Sequence, residues 1–216
     1  MTRTIYLASS NPGKLRELAA LAAAQGIRLE PLPDYQKLPQ ANESAQSFAL
    51  NALEKALHYS RHADGLVVAE DSGLVVDALG GAPGARSARY AHTSGGLPAG
   101  GNATDADNNR ALLAALANVP EEKRAARYIC VLVLASSRPF GYAQGKQVLA
   151  LFSDVCEGRI LAAPRGTGGF GYDPLFLFPP LNHTMAELPV EEKNRHSHRG
   201  KAFAKLLAYL KETAPS

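Results

Sequence analysis

A chain of 216 residues with 46% hydrophobic and 20% charged residues is long enough to bury a substantial core, and its composition excludes a disordered or collagen-like protein. No apolar run reaches the ~18 residues that a membrane span needs, and the N-terminus lacks the apolar core of a signal peptide, so we expect a cytoplasmic protein without a membrane partner. The net charge of +3 comes from Lys and Arg spread along the chain, which does not indicate a nucleic-acid partner. The two cysteines, Cys130 and Cys156, lie far apart in apolar stretches, which predicts reduced core thiols.

The N-terminal half alternates strand-like apolar segments with stretches of helical spacing. Residues 4–8 predict a strand, and the turn after it offers Ser10 or Asn11 as the cap of a helix that ends near Gly26. Further predicted elements are a short strand from Ile27, a helix after Ser44 with Phe48, Ala52, Ala56 and Leu57 on its inner face, and two strands, 66–69 and 74–76, separated by a polar break at 70–73.

The C-terminal half has a different order of elements. It begins with a Gly/Pro/Ala-rich loop over about 80–101, and we interpret residues 99–107 as a variable insertion. Because strands and helices do not simply alternate, we predict an α/β fold with a mixed sheet. The elements predicted here are a helix capped by Thr104 or Asp105 that stops before Pro120, paired strands at 128–135 and 148–155, a Gly-rich loop at 165–173, a strand at 175–178, and a final helix capped by Ser197 with Phe203, Leu206, Leu207 and Leu210 on one face.

The turn after the first strand has the composition of an anion site. Backbone N–H groups at a helix start, small hydroxyls and the Lys14 ammonium together attract phosphate, although the turn is not a Walker A loop. On this turn alone, an ordinary capped turn with a solvated lysine is the favoured interpretation. Its residues are Ser9, Ser10, Asn11, Pro12, Gly13 and Lys14.

An acidic pair, Glu70-Asp71, interrupts an apolar stretch and is followed by Ser72-Gly73. Carboxylates of this kind can bind a hard cation through oxygen, and one of them can accept a proton from an attacking water. The alternative is a polar turn that closes a hairpin. The apolar flanks make that alternative less favourable, because an unpaired charge there would be costly.

A Gly-rich segment runs from Gly166 to Asp173 and matches G-x-G-x-x-G. No helix follows the glycines, so we reject a dinucleotide-binding interpretation. A flexible backbone that carries Phe170, Tyr172 and Asp173 suits a flat base, with an aromatic ring for stacking and a carboxylate for polar edges. A Gly-rich hairpin loop is the alternative.

The last cluster comprises Glu192-Lys193 and Ser197-His198-Arg199-Gly200 at a helix start. Arginine can pair bidentately with oxygen acceptors, and lysine adds a point charge. Solvated cations are the alternative, but cations are disfavoured at a helix N-terminus, which indicates an anionic or acceptor-rich partner.

Together and in this order, these segments resemble the non-canonical purine NTP pyrophosphatases, also called dITP/XTP or inosine triphosphate pyrophosphatases. The resemblance extends from the first strand to the last helix. The matching stretches are 7–14, 70–73 with 80–84 and 88–91, 166–176 and 192–200.

The resemblance implies a fold, an activity and an assembly. The fold is an elongated mixed β-sheet flanked by helices, with two lobes and a central cleft, in a single domain over residues 1–216. The activity is Mg²⁺-dependent hydrolysis of purine nucleoside triphosphates such as dITP, ITP, XTP and dXTP to the monophosphate and pyrophosphate. The usual assembly is a homodimer.

The resemblance also implies residue roles. Asp71 is the catalytic proton acceptor and a Mg²⁺ ligand. Glu70 is our own choice of a second ligand and is not implied by the resemblance. The implied substrate-binding residues are Ser9, Ser10, Asn11, Pro12, Gly13, Lys14, Ser72, Phe170, Gly171, Tyr172, Asp173, Lys193, His198 and Arg199.

The chain departs from the family pattern in one place, where Leu50 stands directly before Asn51-Ala52 and the family has a metal-binding Glu. Glu54 is a weaker substitute, because it lies ~6 Å further along the helix axis. We therefore hypothesise that Leu50 weakens the metal site, and that Leu50→Glu would lower the Mg²⁺ requirement.

A second hypothesis concerns base selection. Lys193 and Arg199 offer only donors, which can pair with the oxygen at position 6 of hypoxanthine or xanthine but not with the amino group of adenine. On this hypothesis, Arg199→Ala loses activity on ITP and XTP far more than on ATP.

Three other functions compete with this interpretation. A pyrophosphatase of pyrimidine nucleotides would be separated by substrate profiling. A nucleotide-binding regulator without catalysis, for which Leu50 lends some support, would release no pyrophosphate from ITP. An RNA-binding role is disfavoured by the absence of a basic stripe with interleaved aromatics.

Overall fold

The computed structural model describes residues 4–95, 98, 101–136 and 147–213. The chain divides into two compact units. The first comprises Met1–Asp71, Cys130–Asp154 and His198–Ser216, and the second comprises Ser72–Ile129 and Val155–Ser197. The predicted single two-lobed domain with a central cleft stays a prediction.

The strands form one open seven-stranded sheet in the order β2-β1-β3-β4-β5-β6-β7. Strand β1 is parallel to β2 and β3, whereas β6 is antiparallel to β5 and β7, so the predicted mixed sheet is confirmed. The expected pairing of the two long apolar strands is also confirmed, since β4 and β5 are neighbours. The strands are β1 Thr4–Leu7, β2 Arg28–Pro31, β3 Leu66–Val76, β4 Ala125–Ser136, β5 Gln147–Ile160, β6 Phe176–Phe178 and β7 His183–Thr184.

Six α-helices flank these strands in the described part of the chain. Short 3₁₀ turns occur between them, including Gly84–Arg89 within the predicted Gly/Pro/Ala-rich loop. The helices are α1 Pro12–Ala23, α2 Phe48–Tyr59, α3 Tyr90–Thr93, α4 Asp105–Ala115, α5 Val190–His196 and α6 His198–Glu212.

Local caps determine where the helices begin. Asn11 caps α1, where its side-chain oxygen accepts hydrogen bonds from Gly13 N at 2.8 Å and Lys14 N at 3.1 Å, and Pro12 occupies the first helical position. Ser47 caps α2 and Thr104 caps α4. Asn11 and Thr104 were among the caps predicted from sequence, whereas the cap of α2 is Ser47, three residues after the predicted Ser44.

The core of the first unit lies where α1 and α6 pack on the sheet. The predicted inner face of the last helix is confirmed, because Phe203, Leu206, Leu207 and Leu210 are all buried. They pack in one cluster with apolar residues of β1, β3 and β4, including Cys130.

The second unit has its own core, built around α4 and the ends of the strands. Leu112 and Leu116 of the α4 region and Phe176 of β6 are fully buried there. Cys130 and Cys156 are both buried and neither forms a disulfide, as predicted, and burial raises the pKa of the Cys130 thiol well above its ordinary value.

Two sequence-based predictions are wrong. The predicted break at residues 70–73 does not exist, because β3 continues through them. Glu70 is paired with the partly buried Lys14 and the buried Arg199, and Asp71 accepts a hydrogen bond from Asn51, so the strand needs no polar turn. Leu57 does not face inward but is 37% exposed, since the buried face of α2 follows Asn51, Ala52, Lys55, Ala56 and Tyr59.

The predicted insertion at 99–107 lies partly outside the described residues. Its described part ends in the cap and first turn of α4. Within the part of the chain that the structure describes, no helix is long and apolar enough to cross a membrane.

Candidate active site

The acidic pair of β3 lies buried, with Glu70 at 1% and Asp71 at 8% exposure. Successive side chains of a strand point to opposite faces, so the two carboxylates meet different partners. Asp71 accepts a hydrogen bond from Asn51 Nδ2 at 3.0 Å, whereas Glu70 contacts the guanidinium of Arg199. The two residues are therefore not equivalent ligands.

Burial raises the pKa of Asp71 above its ordinary value. The positive charge of Lys55, the hydrogen bond from Asn51 and the charge of Lys14 oppose this shift, while the negative charge of Glu43 adds to it. Burial disfavours the charged form of Asp71, and the two nearby cations favour it. A carboxylate whose pKa is shifted by such a combination is typical of a functional site.

Asn51 connects Asp71 to the segment that precedes α2. Its Oδ1 accepts from Ala45 N at 3.1 Å, and its Nδ2 donates both to Ala45 O at 3.1 Å and to Asp71. Glu43 lies two residues before this bonded peptide. The amide of Asn51 thereby fixes the Glu43 segment and the orientation of Asp71 together.

Lys55 is a site residue that sequence reasoning missed. Its ammonium is buried, pairs with Glu43 Oε2 at 2.8 Å and donates to Glu70 O at 3.1 Å. The available signal was its spacing, because Lys55 lies four residues after Asn51 and therefore on the same face of α2. Glu43 was missed for a different reason, since it lies in a segment without helix or strand periodicity.

Glu70 belongs to a buried ion cluster. Arg199 Nε lies 3.0 and 3.1 Å from the two oxygens of Glu70, Arg199 Nη1 lies 2.7 Å from Glu17 Oε2, and Lys14 Nζ lies 3.4 Å from Glu70 Oε1. Burial alone would lower the pKa of Arg199, but the two carboxylates raise it above its ordinary value. This geometry does not support Glu70 as a metal ligand, because both its oxygens are engaged by Arg199.

The same cluster changes the interpretation of Arg199. Its side chain is 4% exposed and held between Glu70 and Glu17. Arg199 and His198, which is also buried, belong to the first unit, whereas Lys193 belongs to the second. The structure supports Arg199 as a structural cation better than as the residue that recognises the base.

The donor set around Asp71 fits a hard divalent cation with few protein ligands. Carboxylates from Asp71 and Glu43 supply oxygen, which such a cation prefers. In the described ranges no group of three or more His, Cys, Asp or Glu residues could hold a metal ion. Mg²⁺ suits this arrangement, because it commonly uses one or two carboxylates and completes its shell with water and phosphate oxygens.

The predicted phosphate turn leads directly into α1. Asn11 N donates to Ser9 Oγ at 3.2 Å, and the Asn11 side chain caps the helix. Lys14 is brought near the acidic pair, with its ammonium on Glu70 and its charge acting on Asp71. Lys14 and Asp71 were both predicted from the sequence to belong to one site. The contact between Lys14 and Glu70 was not predicted.

In the second unit, the Gly-rich loop surrounds a buried ion pair. Lys193 Nζ lies 2.6 Å from Asp173 Oδ2, which also accepts from Phe170 N at 2.8 Å, and Tyr128 OH donates to Asp173 Oδ1 at 3.3 Å. The ammonium lies 5.0 Å from the centroid of the Phe170 ring, a cation–π contact. Phe170, Asp173 and Lys193 are thus brought together as predicted.

Two details of this loop were not predicted. Tyr172 is 4% exposed and its OH donates to Ser87 O at 2.7 Å, so Phe170 is the aromatic ring that remains partly accessible. Gly169 has a φ of +69°, and a Cβ there would collide with the Asp173 carboxylate, so a larger residue is excluded. Ser72, at the start of the second unit, is half-buried.

The model of the Ham1 family matches residues 5–209 of this chain. The chain belongs to the Ham1 family. A protein of Geobacillus kaustophilus named dITP/XTP pyrophosphatase is 46% identical over 205 residues, which cover 94% of this chain and 92% of that protein. Another of that name, from Thermus thermophilus, is 44% identical over 98% of this chain and 93% of its own length.

Solved structures of family members agree with the fold. The HAM1 protein of Coxiella burnetii is 36% identical, has a TM-score of 0.78, and covers 98% of this Ham1-family chain and 100% of its own. The Ham1 protein of Staphylococcus aureus has a TM-score of 0.78 at 31% identity and the same coverage. The family assignment made from the four segments is confirmed.

Asp71→Asn should lower the activity of the protein but raise its thermal stability. We expect turnover to fall by ~10²-fold or more, because a positioned base is removed. Since burial raises the pKa of Asp71, the ionised carboxylate is disfavoured in the folded state, and the melting temperature of the metal-free variant at neutral pH should exceed that of wild type. The gain should shrink as the pH falls through the raised pKa, where wild-type Asp71 is also neutral.

The control is Asp64→Asn, which removes an exposed carboxylate shortly before the same strand. It should leave both turnover and melting temperature nearly unchanged. Normal turnover in folded Asp71→Asn protein would contradict the assignment of Asp71.

Arg199→Ala should act mainly on stability. Removal of the guanidinium leaves Glu70 and Glu17 buried without it, and breaking a buried pair typically costs ~3–5 kcal/mol. We expect a much lower denaturation midpoint and equal fractional losses of activity on ITP and ATP. A selective loss on ITP with near-normal stability would instead restore the hypothesis that Arg199 recognises the base.

Proposed function

We propose that this chain is a nucleoside-triphosphate pyrophosphatase that hydrolyses non-canonical purine nucleotides, namely dITP, ITP, XTP and dXTP, to the monophosphate and pyrophosphate. The observation that carries the proposal is the buried Asp71 carboxylate flanked by Lys14, Lys55 and Glu43. The names of the similar proteins from Geobacillus and Thermus support the substrate class.

The first unit supplies the groups that a triphosphate needs. The start of α1 offers backbone N–H groups in the turn of Ser9 to Lys14, and a helix N-terminus favours negative charge. Lys14 and Lys55 add two cations close to Asp71. Their fixed positive charge stabilises negative charge that develops on the phosphates during hydrolysis.

Asp71 is proposed as the proton acceptor for the attacking water. Burial raises its pKa, which makes its carboxylate a stronger base than an exposed aspartate. Asn51 holds Oδ2, so we assign Oδ1 to accept the proton. The water is then oriented by a carboxylate whose own position is set by the α2 amide.

Mg²⁺ is the proposed cofactor, and Asp71 and Glu43 are the residues that would hold it. When bound, the ion would polarise a phosphate oxygen and neutralise part of its charge. Lys55 pairs with Glu43 at 2.8 Å and thereby holds that carboxylate in the cluster.

The loop of the second unit is proposed to bind the base. The half-buried Phe170 ring offers a face for stacking, and Lys193 is held over that ring by Asp173. An ammonium is a donor without acceptor capacity, so it suits the oxygen at position 6 of hypoxanthine or xanthine and not the amino group of adenine. The side chain of Lys193 is as buried as that of Arg199, but its ammonium lies over the Phe170 ring of this loop, so Lys193 rather than Arg199 is our candidate for base selection.

The chain is further proposed to act as a homodimer in the cytoplasm. Both statements rest on the resemblance to the family. Light scattering of the purified protein tests the assembly, and a mass of one 22.9 kDa chain would contradict it.

Pyrophosphate release across a panel of nucleotides tests the function directly. With Mg²⁺ we expect release from ITP, dITP and XTP, with kcat/KM at least ~10²-fold above that for ATP, because a buried donor left unpaired by the wrong base is costly. Asp71→Asn is the control for contaminating activity. Preference for a pyrimidine triphosphate, or binding of ITP without pyrophosphate release, would contradict the proposal.

The position of Glu43 changes the expectation for the metal site. Leu50 is 52% exposed, and Glu43 already supplies a second carboxylate near Asp71. We expect Glu43→Gln to raise the Mg²⁺ concentration needed for half-maximal activity by about tenfold, with activity partly recovered at high Mg²⁺, because a charged carboxylate ligand is replaced by a neutral amide. Leu50→Glu should leave the requirement nearly unchanged.

Leu57→Glu is the matched control, since Leu57 is an exposed leucine two turns further along α2. Should Leu50→Glu lower the Mg²⁺ requirement while Leu57→Glu does not, the hypothesis drawn from the sequence is correct and Leu50 marks a weakened ligand position.

A further inference from the structure

Two side chains of α4 hold both backbone polar groups of one residue in the Gly-rich loop. Asp105 Oδ2 accepts from Gly171 N at 2.7 Å, and Asn109 Nδ2 donates to Gly171 O at 3.0 Å. Asp105 and Asn109 lie four residues apart, so they share one face of the helix. We name these two residues the α4 clamp.

The clamped residue adopts a conformation that needs support. Gly171 has a φ of +64°, in the left-handed region that glycine adopts readily. Glycine also has many other conformations available, so its backbone freedom must be removed by contacts. The two hydrogen bonds from α4 supply such contacts at the residue next to Phe170.

The helix that carries the clamp is itself fixed. Leu112 and Leu116 anchor it in the second core, and Thr104 caps its first turn. Asn108 Nδ2 donates to Ala88 O at 3.2 Å, and its Oδ1 accepts from Ala91 N at 2.9 Å. A rigid element with buried anchors can hold a loop more accurately than the loop can hold itself.

The clamp lies between the two functional parts of the loop. On one side is Phe170, whose ring lies under Lys193, and on the other is Asp173, which binds that lysine. Tyr172 is tied separately through its OH to Ser87 O. The backbone conformation at Gly171 therefore sets how the Phe170 ring and the Lys193–Asp173 pair face each other.

We propose that Asp105 and Asn109 are positioning residues for base selection, which act through Gly171 and do not touch the substrate. The inference rests on the proposed function, in which Phe170 and Lys193 bind the base. A loop ordered before binding avoids an entropic cost on binding, and a fixed donor leaves the wrong base unpaired. Loss of the clamp should weaken binding of the correct base without slowing the chemical step.

The test compares steady-state kinetics on ITP and ATP for two disrupting variants and two matched controls. Asp105→Ala removes the acceptor, and Asn109→Asp removes the donor with little change of shape. Asp105→Asn keeps an acceptor oxygen, and Arg110→Ala changes an exposed residue of the same helix that contacts Asp107.

For both disrupting variants we expect KM for ITP to rise about tenfold, the effect of losing one hydrogen bond, with kcat changed less than ~2-fold. The ITP-to-ATP ratio of kcat/KM should fall, and Asp105→Asn and Arg110→Ala should resemble wild type. Unchanged KM in folded Asp105→Ala and Asn109→Asp proteins, or equal losses on both nucleotides, would overturn the inference.

Two further measurements keep the outcomes distinct. Phe170→Ala tests the proposed function of the loop, because a normal KM for ITP in that variant means that the base binds elsewhere. A raised KM in Phe170→Ala with a normal KM in both clamp variants rejects the clamp alone. If Asn109→Asp is unfolded in a thermal melt, Asp105→Ala decides, since Asp105 is exposed and its replacement should leave the fold intact.

Discussion

The buried pairing of Arg199 with Glu70 and Glu17 is the constraint on which the first unit depends. It joins α6, β3 and α1 through charges that are almost entirely removed from water. Such charges are costly to bury unless their geometry is good and their hydrogen bonds are made. Because Arg199 neutralises Glu70, β3 continues without a turn. The next residue, Asp71, therefore lies at a fixed position beside Lys14 and Lys55.

The functional groups of both units are held by side chains that bind backbone. Asn51 bonds both polar groups of Ala45 and also orients Asp71, and Asp105 with Asn109 bonds both polar groups of Gly171. In each case polar side chains on one helix fix an irregular segment that carries site residues. Loops can then hold catalytic and binding groups accurately, although they contribute little to the core.

Much of the fold and part of the site followed from local patterns. The Asn11 cap with Pro12 predicted the start of α1, the spacing of Phe203 to Leu210 predicted the inner face of α6, and the order of segments predicted a mixed sheet. Four short motifs in order identified the family. These features could be predicted because capping, periodicity and motif order depend on residues close together in the chain.

Which side chains pair with one another within the chain depended on tertiary structure. Arg199 meets Glu70 across 129 residues and Glu17 across 182, so no local pattern could show that Glu70 is occupied and Arg199 enclosed. The same holds for Tyr172, which turns inward to Ser87, for Glu43 and Lys55 beside Asp71, and for the continuity of β3. The sequence by itself determined four of the six described helices, the mixed character of the sheet and the family. Only the tertiary structure decided which charges neutralise one another, because burial and long-range contacts set the cost of an unpaired charge.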